Sequence, residues 1–196
     1  MVKSQNEAQF ETSSGKDRPT DEFLIREGVL ADAPAIASIH VRAWQSAYRG
    51  QMPDALLDSR SAEDREERWR RGFARRSAGE PFPRIWVAER DGQVIGFASG
   101  GPSQEDDAPP GTGEIYSIYL EPDVIGTGVG RSLFARAVQD LGEVGFERAT
   151  LWVLTSNAST RRFYEAAGWR FEGREKIEDW DGYGIPEVRY LIDLST

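Results

Sequence analysis

Residues 124–134, VIGTGVGRSLF, set Gly126, Gly128 and Gly130 in alternation before an apolar helical pattern begins. Glycine disfavours a helix start unless the backbone must bend sharply or come close to another group. A glycine-rich turn between a strand and a helix N-terminus points backbone N–H groups outward, and the helix dipole adds partial positive charge. The chemistry implied is anion binding. A nucleotide P-loop would need Gly-Lys-Ser/Thr after the glycines, and a dinucleotide fingerprint would need glycine where the chain has Arg131. An ordinary tight turn is the other reading.

The remaining reactive side chains narrow the chemistry. The sequence has no cysteine, so disulfides, thiolate catalysis and sulfur-ligated metal are excluded. A single histidine, His40, argues against a histidine metal site and against a Ser-His-Asp triad. Acidic residues outnumber basic ones by 33 to 24, a net charge of −9, which argues against nucleic acid or an anionic membrane as partner. The balance fits a cationic small molecule or simple solubility. No apolar run approaches the roughly 20 residues of a membrane span, and the N-terminal stretch lacks the apolar core of a signal peptide. A cytoplasmic location follows by default.

The elements that must position these residues form a single domain of 22–196 behind a polar, flexible N-terminal tail of 1–21. FLIREG (23–28) reads as a first strand. Asp32 offers an N-cap and Pro34 a first turn, and Ile36, Ile39, His40, Ala43, Trp44 and Ala47 recur at helical spacing over 33–48. A turn and a short helical piece follow in RGQMPDALLDS (49–59). Ser61 and Asp64 open a charged helix over 61–79, anchored by Trp69 and Phe73. The period then changes. RIWVAER and QVIGFASG flank Asp91-Gly92, a hairpin signal, and 101–113 reads as a loop. EIYSIYL (114–120) is a strand, the glycine turn leads into a helix, and 149–155 is a further strand. Asn157 caps a helix ended by Gly168. WRFEGREKI (169–177) and PEVRYLIDL (186–194) close the chain as strands. The fold class expected is α+β, a mixed, largely antiparallel sheet flanked by helices.

With its flanks, EIYSIYLEPDVIGTGVGRSLF resembles the acetyl-CoA site of the GNAT superfamily of N-acetyltransferases, and LWVLTSNASTRRFYEAAGWRFEG resembles the motif that follows it there. HVRAWQSAYRGQMPDALLD is similar to one bacterial subset of that family. The resemblance covers about 23–193, and it departs from the pattern at Ile125, where family members usually carry Gln or Arg. It implies that the pyrophosphate of acetyl-CoA sits on the amides of Gly126, Thr127, Gly128, Val129, Gly130 and Arg131, with Ser132 nearby. It implies that the pantetheine arm pairs with the backbone of Ile118, Tyr119 and Leu120 as an added strand. Asn157 would hydrogen-bond the arm, and Tyr164 would protonate the departing thiolate as general acid.

Acetyl transfer needs a neutral amine, and Glu114 matches a position where many family members keep a glutamate that serves as base. A solvated strand-end glutamate is its other reading. His40 has a suitable ordinary pKa near 6.5, but it lies on an apolar helical stripe where packing explains it. Trp44 and Tyr48 either line the acceptor site or pack in the core. The acidic run Glu105-Asp106-Asp107 reads as solvated, with attraction of a cationic acceptor as the alternative. The function implied is transfer of an acetyl group from acetyl-CoA directly to a primary amine of a small molecule or peptide, without metal. An acyl-CoA sensor or degenerate domain of the same fold is the competing reading. A homodimer through the terminal strands is open, with no independent sign of it in the sequence.

Overall fold

The structure, a computed structural model, describes residues 22–194. The tail expected over 1–21 therefore lies outside the described residues, as do 195 and 196. The elements run β1 (Leu24–Glu27), α1 (Ala33–Tyr48), α2 (Asp54–Asp58), α3 (Ala62–Ser77), β2 (Arg84–Arg90), β3 (Gln93–Pro102) and β4 (Thr112–Leu120). They continue with α4 (Val129–Glu143), β5 (Arg148–Leu154), α5 (Ala158–Ala166), β6 (Arg170–Trp180) and β7 (Tyr183–Asp193). Among the described residues the strands form one sheet in the order β1-β2-β3-β4-β5-β7-β6. Every pairing is antiparallel except β4 with β5.

Helices cover both faces of the sheet, so strand side chains are buried alternately to either side. On β2, Ile85 and Val87 pack with Ala33, Ile36, Ile39 and Phe73 from α1 and α3. Trp86 and Ala88 face the other way, into a core built by Leu133, Phe134 and Ala137 of α4 and Tyr164 of α5. Ile36 and Ile39 are at most 1% exposed, and burying a side chain of that size contributes about 1.5–3 kcal/mol. A third cluster joins Trp44 and Tyr48 of α1 to α2 and to Leu154 and Ile185 at the ends of β5 and β7.

The Asp91-Gly92 turn forms as its sequence requires, with φ of 51° and 75°, and Ser61 caps α3 by accepting from the Asp64 N–H. Other local expectations need correction. Asp32 does not cap α1. Its carboxylate accepts from the Val29 N–H and pairs with the Arg26 guanidinium at 2.7 and 2.9 Å, a stronger charge-assisted partner, within a short 3-10 turn. The loop expected over 101–113 is shorter, because Gly101 and Pro102 pair with Glu114 and Gly113 and lengthen both strands. The last two strands are also longer and meet at an Asp181-Gly182 turn with φ of 55° and 86°, with Glu178 and Trp180 just ahead of it on β6, the edge strand.

Candidate active site

Strands β4 and β5 pair only over Thr112–Glu114 with Arg148–Thr150. Beyond Glu114 they part, while β4 stays paired with β3 as far as Leu120 and β5 with β7 as far as Leu154. Ser99 pairs with Ser117 but Gly100 pairs with Ile115, so Tyr116 is an extra residue in β4. Such a bulge bends its strand and raises the local twist, which turns the end of β4 away from β5. The β4 edge from Ile115 to Leu120 is left with N–H and C=O groups outside any ladder on that side, and backbone groups of this kind seek partners. A cavity of about 1000 Å³ fills the opening.

The glycine turn stands at one end of this cavity. Gly126 and Gly128 hold φ of 87° and 93°, and a Cβ at either would meet nothing within 4 Å. Their requirement is therefore conformational, and the space above them is open. Gly130 is needed for a different reason, since a Cβ there would come within 3.0 Å of Leu120 Cδ1. No side chain caps α4, and the Ser132 N–H bonds back to the Gly128 carbonyl at 3.2 Å. The amides ahead of it have no intrahelical acceptor. Arg131 is exposed, lines the cavity and makes no ion pair or hydrogen bond among the described residues. The arrangement offers the free amides and the nearby cation that suit an anion.

Further in, α5 delivers Asn157 and Tyr164. The Asn157 side-chain oxygen accepts from the Thr160 N–H at 3.2 Å, capping α5, while the residue still borders the cavity. Tyr164 is 5% exposed and borders the cavity, and its hydroxyl has no hydrogen-bond partner among the described residues. Burial, and to a lesser degree Tyr119, pushes that phenol well above its ordinary value.

Carboxylates stand at the inner wall. Glu114 accepts from the Gln104 N–H at 3.0 Å and the Ser103 hydroxyl at 3.2 Å, and burial raises its pKa against the pull of those bonds. Glu187 of β7 is 7% exposed, accepts no hydrogen bond among the described residues, and is pushed up to about 7, chiefly by burial. Lys176 lies between Glu105 and Glu178 at 3.1 and 3.0 Å, over the ring of Trp152.

The structure brings most of the expected site residues to this cavity: Ile118, Tyr119, Leu120, Gly126, Thr127, Gly128, Gly130, Arg131, Asn157, Tyr164, Glu114 and Tyr48 all border it. Val129 and Ser132 do not. Val129 is fully buried against the core, which leaves only its amide for a ligand, and Ser132 is exposed outside the cavity lining. His40 and Trp44 also lie behind the wall. His40 stacks on Tyr119 at 4.8 Å, and burial, with Arg65, Arg60 and Arg68, lowers its pKa to about 3, which with its place behind the wall fits the packing reading. Trp44 stacks on Trp180 at 4.4 Å and donates to the Tyr119 hydroxyl at 2.6 Å. Nor is the acidic run solvated throughout. Glu105 accepts from Trp152 Nε1, and Asp107 pairs with Arg189 and Arg174. Glu187, Lys176, Glu178, Trp152 and Trp180 escaped the sequence reading; the sign of Glu187 was a carboxylate sharing a strand face with Ile185.

The Acetyltransferase (GNAT) family model matches residues 37–169. The chain belongs to the GNAT acetyltransferase family. YuaI of Bacillus subtilis, an uncharacterized N-acetyltransferase, is 34% identical over 72% of this chain and 77% of its own length. A mycothiol acetyltransferase of Frankia alni is 32% identical over 82% of this chain, which spans 53% of that relative. The GNAT fold is shared with the PaiA N-acetyltransferase of Thermoplasma acidophilum, solved in complex with coenzyme A. That structure has a TM-score of 0.68 at 19% identity and covers 88% of this chain and 99% of its own. Like its GNAT relatives, this protein is an acetyltransferase enzyme.

Proposed function

We propose that this enzyme transfers an acetyl group from acetyl-CoA directly to an amine, in a ternary complex without a covalent enzyme intermediate. One observation carries the reading: a single cavity joins the uncapped α4 N-terminus, the unladdered edge of β4, and a wall holding Tyr164 and buried carboxylates. The pyrophosphate fits the amides of Gly126 through Arg131, with the Arg131 guanidinium as countercharge. The amide-bearing pantetheine arm fits the backbone at Ile118, Tyr119 and Leu120, where an N–H polarises the thioester carbonyl. Asn157 adds a side-chain amide to the same arm. A cavity carboxylate takes a proton from the acceptor's ammonium. Tyr164, held protonated by its burial, gives a proton to the leaving thiolate. The chain has no cysteine to carry an acetyl thioester, in keeping with direct attack.

Ile125 supports a second reading. It is 65% exposed at the mouth of the cavity, a departure from the family's usual polar residue that leaves open a domain binding acyl-CoA without turnover. Thermal unfolding with excess acetyl-CoA, coenzyme A or NAD, for wild type and Gly128→Glu, tests the donor assignment. A ligand at about 100 times its Kd adds roughly 2.7 kcal/mol, or about 5–10 °C for a chain of this size. The expected result is a shift with both coenzyme A species, none with NAD, and none for the variant. Absence of any shift with coenzyme A in the wild type would end the reading. Coenzyme A release across a panel of amines then separates enzyme from sensor.

A further inference from the structure

Glu187 is a carboxylate that the fold leaves unanswered. It is 7% exposed, borders the cavity, and accepts no hydrogen bond among the described residues. A carboxylate that no protein donor answers, and that opens into a cavity, finds its partner in water or in a ligand. Its register neighbour on β6 is Lys176, but that ammonium is already held at 3.1 Å by Glu105 and 3.0 Å by Glu178. The other groups that face Glu187 are acidic or phenolic: Glu114 and Tyr119 from β4, Glu178 from β6, Glu105 from the loop, and Tyr48 from α1. Aromatic rings of Tyr48 and Trp180 wall the same end of the cavity.

Glu114 differs in one decisive respect. Its Oε2 is already engaged by the Gln104 N–H and the Ser103 hydroxyl, which ties the loop after β3 to β4. Both bonds are strongest to the ionised carboxylate, so Glu114 is suited to holding the loop in place.

Resting on the acetyl-transfer reading above, we propose that Glu187 receives the acceptor's ammonium and removes its proton, and hence that the acceptor is an amine arriving as a cation beside an apolar aromatic surface. R–NH3+ gives one proton to the Glu187 carboxylate. The freed nitrogen lone pair forms the C–N bond at the thioester carbonyl, and the C–S bond breaks with its electron pair on sulfur. Sulfur takes a proton from Tyr164, whose phenolate is restored by the second nitrogen proton. Glu187 releases its proton to water. A carboxylate that titrates at about 7 is matched to this work at neutral pH.

The test uses benzylammonium as probe with wild type, Glu187→Gln and Glu114→Gln, each saturated with coenzyme A. Side-chain carboxyl carbons are followed by NMR as pH is varied. The resonance missing from Glu187→Gln should titrate near neutrality and move to lower pH when benzylammonium is added, and Glu114→Gln should keep that response. Benzylamine turnover, read as kcat/KM, should fall about 100-fold or more in Glu187→Gln and lose its acid limb, whereas the acid limb survives in Glu114→Gln. A Glu187 resonance unmoved by benzylammonium, or an unchanged acid limb in Glu187→Gln, overturns the proposal. If coenzyme A stabilises the protein while either of those results appears, only this proposal fails. If coenzyme A itself does not bind, the donor reading has failed first.

Discussion

Replacing Tyr164 by phenylalanine separates its chemical role from its packing. The ring lies 5.2 Å from Phe134, 5.5 Å from Phe163, 6.4 Å from Trp169 and 6.3 Å from Tyr190, centroid to centroid. Phenylalanine keeps all of these contacts. The hydroxyl has no hydrogen-bond partner among the described residues, so its removal strands no donor or acceptor, and the stability change should stay within about 1 kcal/mol. Truncation to alanine, by contrast, should cost about 3–5 kcal/mol through the cavity it opens. General acid catalysis contributes about 100- to 10,000-fold; a thiolate is a weak base that leaves with modest help, so the lower end applies. The assay is thiol release at saturating acetyl-CoA with an acceptor from the amine screen, beside urea denaturation of the same samples. The expected pattern for Tyr164→Phe is a wild-type midpoint with kcat down about 100-fold. Turnover within about threefold of wild type would refute the general-acid role, and a stability loss above about 2 kcal/mol would refute the account of the hydroxyl as unpartnered.

Further outcomes follow from the same geometry. Glu187 titrates at about 7 in the folded protein against an ordinary 4.5. Below the lower value both states are protonated and the residue costs nothing; the cost grows as pH rises and is complete above the folded value, at about 3 kcal/mol. Glu187→Gln should therefore be more stable than wild type at about pH 8, by up to that amount, with the gain fading in acid; equal denaturation midpoints across the range would contradict it. Asp140 of α4 is 1% exposed and holds Arg84 of β2 at 2.7 and 2.6 Å. Asp140→Ala should cost about 3 kcal/mol by leaving a part-buried guanidinium unpaired, and a melting temperature within about 2 °C of wild type would deny the pair that weight. Ile125→Gln puts an amide donor at the mouth of the cavity and should tighten coenzyme A about fivefold, near 1 kcal/mol, by calorimetry; unchanged affinity would mean that only the backbone of this position serves the ligand.

Local physics made much of this protein legible in its sequence. The apolar stripe from Ile36 to Ala47 places α1 at Ala33–Tyr48, because helical period and burial are the same pattern. Asp91-Gly92 specifies its turn because only such residues accept two successive positive φ values. The glycines at 126 and 128 mark a sharp turn facing open space because positive φ is a local property that glycine signals. Two adjacent signals were equally local and were passed over: Asp181-Gly182 is the same kind of turn, and Glu187 shares an inward strand face with Ile185. What the tertiary structure alone decided is how the strands assort. The chain places β7 between β5 and β6, sets β4 parallel to β5 for only a few residues, and bulges β4 at Tyr116. Pairing partners far apart in the chain leave no period in the sequence, so nothing local foretold that the sheet would open there. Burial then sorted the titratable groups. It neutralised His40 behind the wall, tied Glu114 to a loop and left Glu187 bare, because a side chain's protonation depends on what the rest of the chain brings against it.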